Sequence, residues 1–221
     1  GSQPFLKVNL KGERFMNEYM PYDLVLHAAA SQPYHTYCTV WDSKYAEDCE
    51  HFATHGCSRL YPHVNGTNPV FPMDYVQAMN ADLQDQGYIV EADTIEELAD
   101  KLGLPKETFT ATVDHYNELA AKGEDEDYGK ENYRLSTLSE APFYGVRQAG
   151  GYLICTIDGI QIDDNMHAID QDFKAIPGLY VIGDMSGNYF SGSYPSLMAG
   201  AAAGRSATFG RLAGQNAAAG I

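Results

Sequence analysis

Ile176-Pro177-Gly178-Leu179-Tyr180-Val181-Ile182-Gly183-Asp184 is the stretch that decides the reading, with Ser193-Tyr194-Pro195 and residues 200–210 behind it. Pro177-Gly178 is a turn signal. Residues 179–182 form an apolar run of strand length bounded by glycines, which predicts a buried strand. Gly183-Asp184 ends the strand, and a loop rich in Gly, Ser and Tyr follows. Residues 199–212 then predict a helix of small residues. Gly200 and Gly204 stand four apart, on one face, where the backbone can approach something flat and close. The N-terminus of such a helix offers free N–H groups and a positive dipole end to a ligand. An ordinary helix packed on a sheet satisfies the same pattern.

The 221 residues suit one large or two small domains and can bury a sizeable core. An apolar fraction of 44% is ordinary for a globular chain. The net charge of −16 argues against nucleic acid and anionic membrane surfaces as partners. Much of the acid lies in residues 91–131 and reads as a solvated face. No run approaches about 18 apolar residues, so no spanning helix is expected. Gly1-Ser2 reads as a cloning remnant, and no signal peptide is recognisable. The compartment, cytoplasmic or bacterial periplasmic, stays open.

Cys38, Cys49, Cys57 and Cys155 form no Cys-x-x-Cys pair. Cys49 and Cys57 flank His51 and His55, but the spacing fits no zinc pattern. Buried or semi-exposed thiols are expected, and no metal.

In chain order, residues 5–10 alternate as a strand, 11–13 turn, and 14–18 return as a second short strand of a hairpin. A helix begins at Tyr22. Residues 37–41 predict a strand, with Asp42-Ser43 capping a helix after it. Residues 59–73 are loop-like, with Pro62, Gly66, Pro69 and Pro72. Asn65-Gly66-Thr67 would accept a glycan only in a eukaryotic secretory context. Residues 73–86 read as a helix and 88–92 as a strand. Asp93 or Thr94 caps a helix through Leu102, which Gly103 stops. Pro105 opens another helix over 106–121, ended near Gly123. A βαβ-like return follows, with strands at 160–163 and 176–183. The Ala/Gly tail at 213–220 is expected to fray.

The C-terminal run resembles the FAD-contacting segment of the fumarate reductase/succinate dehydrogenase flavoprotein superfamily, which includes urocanate reductases and 3-ketosteroid Δ1-dehydrogenases. The match lies in Ile-Pro-Gly-Leu-Tyr-Val-Ile-Gly-Asp, the Gly/Ser loop, and Ala203-Gly204-Arg205-Ser206-Ala207-Thr208-Phe209-Gly210-Arg211-Leu212-Ala213-Gly214. Gly12-Glu13-Arg14-Phe15-Met16-Asn17-Glu18 is similar to the entry of the family's mobile capping domain. Residues 92–99, 103–105, 112–117 and 123–130 are similar to its body, so the resemblance covers nearly the whole chain. It implies an α+β chain. A capping domain would span 3–145. An incomplete α/β, Rossmann-like FAD-binding half would span 146–221. That half lacks its unit of strand, Gly-x-Gly-x-x-Gly and helix, which occurs nowhere in this sequence. Either the chain is a piece of a longer protein or the other FAD-binding half is a separate polypeptide.

The resemblance implies FAD as cofactor and hydride transfer between flavin N5 and a carbon next to an activated carbonyl. In dicarboxylate reductases an arginine after the Asn-Glu of the cap donates the proton. Here Asn17-Glu18 leads to Pro21-Tyr22-Asp23, which looks more like the ketosteroid dehydrogenases, where a tyrosine acts as base. Tyr22 is therefore the expected base or proton donor. An ordinary tyrosine titrates at about pH 10, so this role needs a neighbouring tyrosine, a positive charge or the flavin. Tyr22 could equally cap or pack the helix it opens. Tyr194 matches the position that anchors the substrate ketone, with an N–H of Met198, Ala199 or Gly200 completing an oxyanion site. It could instead pack on the flavin rim.

The resemblance further implies cofactor contacts from Gly183, Asp184, Leu197, Met198, Ala199 and Gly200, with Asp184 on the ribityl hydroxyls. The histidine that dicarboxylate reductases carry before Thr-Met-Gly-Gly is absent from Ile154-Cys155-Thr156-Ile157-Asp158-Gly159. With two carboxylate-binding positions lost, fumarate and succinate are not the expected substrates. Arg147 reads as a structural ion-pair residue. The expected partners are a small-molecule substrate, the other FAD-binding half, and an external electron donor or acceptor. The enzyme would act on a CH–CH bond next to a ketone. The alternatives are a reductase of an unsaturated acid, or a flavin-free binding or assembly module.

Overall fold

The computed structural model describes residues 3–20, 22–52, 72–149, 158–190, 198 and 200–221, with the side chains of Tyr22 and Asp23 excepted. The chain divides into two compact units, residues 1–151 and 152–221.

The first unit is built on a four-stranded antiparallel sheet. Its strands are β1 (Lys7–Asn9), β2 (Thr36–Asp42), β3 (Ile89–Ala92) and β4 (Phe143–Ala149), in the order β1-β2-β4-β3. β2 and β4 pair along their whole length, from Thr36 opposite Ala149 to Asp42 opposite Phe143. The boundary expected at residue 145 therefore falls inside a strand. β4 is held on both edges, by β2 and β3, and stays with the first unit.

Alternation along β2 sends side chains to two apolar layers. Cys38 and Val40 join Leu6, Val8, Leu98, Leu102, Phe109 and Val113 in one core. Trp41 joins Phe5, Cys49, Phe52 and Ile89 in the other. Each fully buried Leu, Val or Phe contributes on the order of 2 kcal/mol. Gly145 lets the sheet close on α4 (Ile95–Leu102), because a Cβ there would lie 2.7 Å from Leu102 Cδ1.

Local signals set the helices. Thr94 accepts from Glu97 N at 3.1 Å, and Glu97 accepts from Asp93 N at 3.0 Å, giving α4 its start. Gly103, with φ +68°, ends it. α5 (Lys106–Lys122) follows Pro105 and ends at Gly123. The other helices of the unit are α1 (Tyr22–Ala30), α2 (Tyr45–His51) and α3 (Met73–Asp85).

Two expectations fail in this unit. Residues 14–18 make no second strand; a single bridge joins Val8 to Arg14, and β1 pairs with β2 instead. The reason is the pull of Arg14 and Glu18 into a buried ion cluster, described below. Asp42 is no simple helix cap. It is buried, and its carboxylate accepts from the N–H groups of Lys44, Ser139 and Glu140, tying the loop before β4 to the end of β2.

The second unit holds a hairpin of β5 (His167–Ile169) and β6 (Ala175–Tyr180), and the helix α6 (Ala201–Ala219). A βαβ-like return was expected; the strands are antiparallel, and residues 160–163 contribute isolated bridges to Ser186 and Ala168. The expected buried strand is mostly exposed. β6 ends at Tyr180, and Ile176, Leu179 and Ile182 are 37%, 45% and 39% exposed, because β5 is the strand's one neighbour among the described residues. Val181 alone of that run is buried. The expected frayed tail is helical to Ala219, where Gly220 caps it and Asn216 donates to the Asn165 carbonyl at 3.1 Å.

Candidate functional site

The predicted site residues fall in both units. Tyr22 opens α1 in the first, and its side chain lies outside the described atoms. Tyr194, Leu197 and Ala199 lie outside the described residues. Gly183, Asp184, Met198 and Gly200 belong to the second unit.

The segment leading to Tyr22 is anchored by a buried charge cluster. Arg14 donates to Glu18 at 2.8 and 3.0 Å and to Asp125 at 2.8 and 2.7 Å. Lys130 lies 3.1 Å from Glu18, donates to Tyr116 Oη at 2.7 Å and also bonds the Pro4 carbonyl. Lys7 donates to the carbonyls of Gln3 and Phe5 at 3.0 and 3.3 Å. Burial disfavours the charged form of Glu18, but Lys130 and Arg14 outweigh it and hold its carboxyl below the usual range. Burial brings the Lys7 ammonium down to about 8. Glu18 is thereby fixed four residues before Tyr22. The Gly-x-Arg-Phe-x-Asn-Glu run showed the entry of the cap; the spacing alone gave no sign that Arg14 and Glu18 meet Asp125 and Lys130.

In the second unit, Gly183 opens a 3₁₀ turn, Gly183–Met185, with φ +64°. Such a conformation suits glycine. Asp184 projects to solvent. Gly200, with φ +85°, is the N-cap of α6 and makes no side-chain cap bond; Ala201 N donates to Met198 O at 3.1 Å in the first turn. Met198 is exposed. Among the described residues no atom comes within 4 Å of a Cβ built on Gly200 or Gly204. Gly204, not Gly200, belongs to the helix; the glycine in close approach is Gly210, whose Cβ would lie 3.3 Å from Ile182 Cδ1.

Arg205 joins these parts. It is buried on α6, donates to the Ser186 carbonyl at 3.4 Å, and bonds the Gly183 carbonyl. Its guanidinium carbon lies 5.1 and 5.0 Å from the ring centroids of Tyr189 and Phe190. Gly159 and Gly187 hold the other side of the turn. Ile160 N donates to Met185 O at 2.9 Å and Gly187 N to Ile160 O at 2.8 Å. A Cβ on Gly159 would lie 2.5 Å from Met185 O. Sequence reasoning singled out neither Arg205 nor Gly187. The one signal was a lone arginine inside a helix start of Ala and Gly.

Other expectations are quickly placed. Arg147 lies on β4 opposite Cys38 and forms no ion pair among the described residues. Cys38 and Cys49 are buried, and burial pushes their thiols up to about 11 and about 12. Cys57, Cys155, His55 and Asn65-Gly66-Thr67 lie outside the described residues. Among the described residues no group of His, Cys, Asp and Glu could hold a metal, and no helix is long and apolar enough to cross a membrane.

The FAD binding domain family matches residues 4–197. The chain belongs to this family. It is 33% identical over 228 residues to a 3-oxosteroid 1-dehydrogenase of Mycobacterium tuberculosis, covering 93% of this chain and 37% of that protein. It is 29% identical over 222 residues to a vinyl phenol reductase of Lactiplantibacillus plantarum, covering 99% of this chain and 43% of that protein. The chain thus spans less than half the length of either relative. The crystal structure of a 3-ketosteroid Δ1-dehydrogenase from Sterolibacterium denitrificans superposes with a TM-score of 0.72 at 23% identity, over 99% of this chain and 39% of that one. The fold is therefore the α+β fold of these FAD-dependent enzymes.

The residues present fit FAD. Among the described residues, Arg205 Nε is buried without a hydrogen-bond partner, α6 starts without a side-chain cap, and no atom crowds the space over Gly200 and Gly204. Such a set suits a flat, electron-rich group.

Proposed function

We propose that this chain is part of an FAD-dependent oxidoreductase acting on a CH–CH bond adjacent to a ketone. The similarity over 93% of the chain to a 3-oxosteroid 1-dehydrogenase carries this reading. Residues 3–145, with the rest of β4 to Ala149, serve as the capping domain, and the residues after β4 as the return of the FAD-binding domain. The other FAD-binding half and an external electron donor or acceptor complete the enzyme.

Gly183, Asp184 and the residues from Leu197 to Gly200 hold the cofactor. Bound FAD supplies hydride transfer at its N5. Tyr22 gives or takes the proton on the neighbouring carbon. Tyr194, with an N–H near Gly200, accepts charge developing on the ketone oxygen. The buried cluster around Glu18 fixes the chain four residues before Tyr22 and so orients it.

Tyr22→Phe in the intact, FAD-loaded enzyme tests the assignment. Turnover is expected to fall by about 10²–10⁴, the range for a lost acid–base group, with flavin retained. Wild-type turnover removes Tyr22 from the mechanism.

A second reading is reduction of an unsaturated acid. An NADH:acrylate oxidoreductase of Vibrio harveyi, 35% identical over 133 residues, favours it. A carboxylate needs a cation in the site, and Arg205 is engaged by backbone carbonyls.

A further inference from the structure

Arg205 is the least ordinary charge in the second unit. An arginine is protonated at every accessible pH. This one is 5% exposed. Buried charges are normally matched by a buried partner, because desolvation is costly. Here the one carboxylate within reach among the described residues is Asp184, at 3.5 Å, with its own side chain 81% exposed. The other contacts among the described residues are carbonyl oxygens and two aromatic rings, and Nε has no acceptor among them.

The placement adds to the charge. Arg205 sits one turn into α6, and helical side chains lean toward the helix N-terminus. Its guanidinium therefore reinforces the positive end of the helix dipole. It also ties the Gly183 turn to the start of α6.

We propose that Arg205 is a positioning residue whose buried charge raises the electron affinity of the flavin held by the Gly183 turn and the start of α6. This rests on the reading of Gly183 and Gly200 as flavin contacts. Uptake of a hydride leaves the flavin one unit more negative. A buried positive charge with a solvent-exposed counterion favours that product, since attraction is weakly screened away from water.

The test is an anaerobic redox titration of the intact, FAD-loaded protein. Arg205→Met is expected to shift the flavin midpoint potential negative, and Arg205→Lys to stay near the wild-type value. Asp184→Asn is expected to shift it positive. Where Arg205→Met does not retain flavin, Arg205→Gln is the neutral comparison, because it keeps a donor for the Gly183 carbonyl. A neutral variant that holds FAD at the wild-type potential overturns the proposal. Equal shifts in Arg205→Lys and the neutral variant also overturn it, since geometry and not charge would then be at work. Failure of the wild-type protein to take up FAD sinks the flavin-contact reading itself.

Discussion

Arg14 and Asp125, 111 residues apart, form a two-pronged ion pair at 2.8 and 2.7 Å. Both side chains are almost wholly buried. The pair closes the segment before α1 against the loop after α5. Glu18 and Lys130 extend it, so three cations (Lys7, Arg14, Lys130) share two carboxylates. Asp125→Ala leaves one carboxylate among those three cations. Removing one member of a buried pair costs about 3–5 kcal/mol, so a drop in melting temperature on the order of 10 °C is expected. An unchanged melting curve would show that the cluster contributes nothing to the first unit.

Two carboxylates give opposite responses to pH. Burial opposes ionisation of Asp125, but Arg14 and the Lys130 N–H outweigh it and hold it at about 2. Its folded value is depressed, so its stabilisation is present above about pH 4 and lost as pH falls toward 2. Asp48 goes the other way. Burial raises it to about 6; Lys44 pulls against this and Asp42 adds to it. The folded state then keeps a proton that the unfolded chain releases between about pH 4 and 6, and stability falls across that window. Asp48→Asn is expected to melt above the wild type at pH 7, with the gap closing at pH 4. Melting curves at the two pH values check this, and a gap independent of pH contradicts it.

These features separate what the sequence showed from what it hid. α4 was legible because Thr94, Glu97 and Gly103 act within a few residues of each other. The β1-β2-β4-β3 order was hidden, since Thr36 meets Ala149 across 113 positions of sequence. Asp42 read as a cap because its neighbours suggested one, while Ser139 and Glu140, which claim it, lie almost a hundred residues on. The apolar run ending at Ile182 read as buried because hydrophobicity reports a preference for burial and not the presence of a covering layer. Gly183, Asp184 and Gly200 were named through family resemblance; Arg205, which ties their elements together, left no periodic or spacing signal.

Gly159 offers a test of the turn that needs no change in a proposed contact residue. A Cβ there meets the backbone of Met185, Ser186 and Gly187 within 2.5 to 2.9 Å. Backbone cannot step aside as a side-chain tip can, so Gly159→Ala must displace the Gly183–Ser186 turn. FAD affinity in the intact protein is expected to fall at least about tenfold, equivalent to 1.4 kcal/mol. Unchanged affinity, by fluorescence quenching of titrated FAD, would mean that the turn does not hold the flavin.

The most direct test of the proposed chemistry is anaerobic. The intact protein, loaded with FAD and reduced, is mixed with a cyclic enone or with an unsaturated acid, and the flavin absorbance is followed. Rapid reoxidation by the enone, and far slower reoxidation by the acid, is the predicted result. Reoxidation by neither, with saturated ketones also failing to reduce the oxidised flavin, would contradict a CH–CH oxidoreductase.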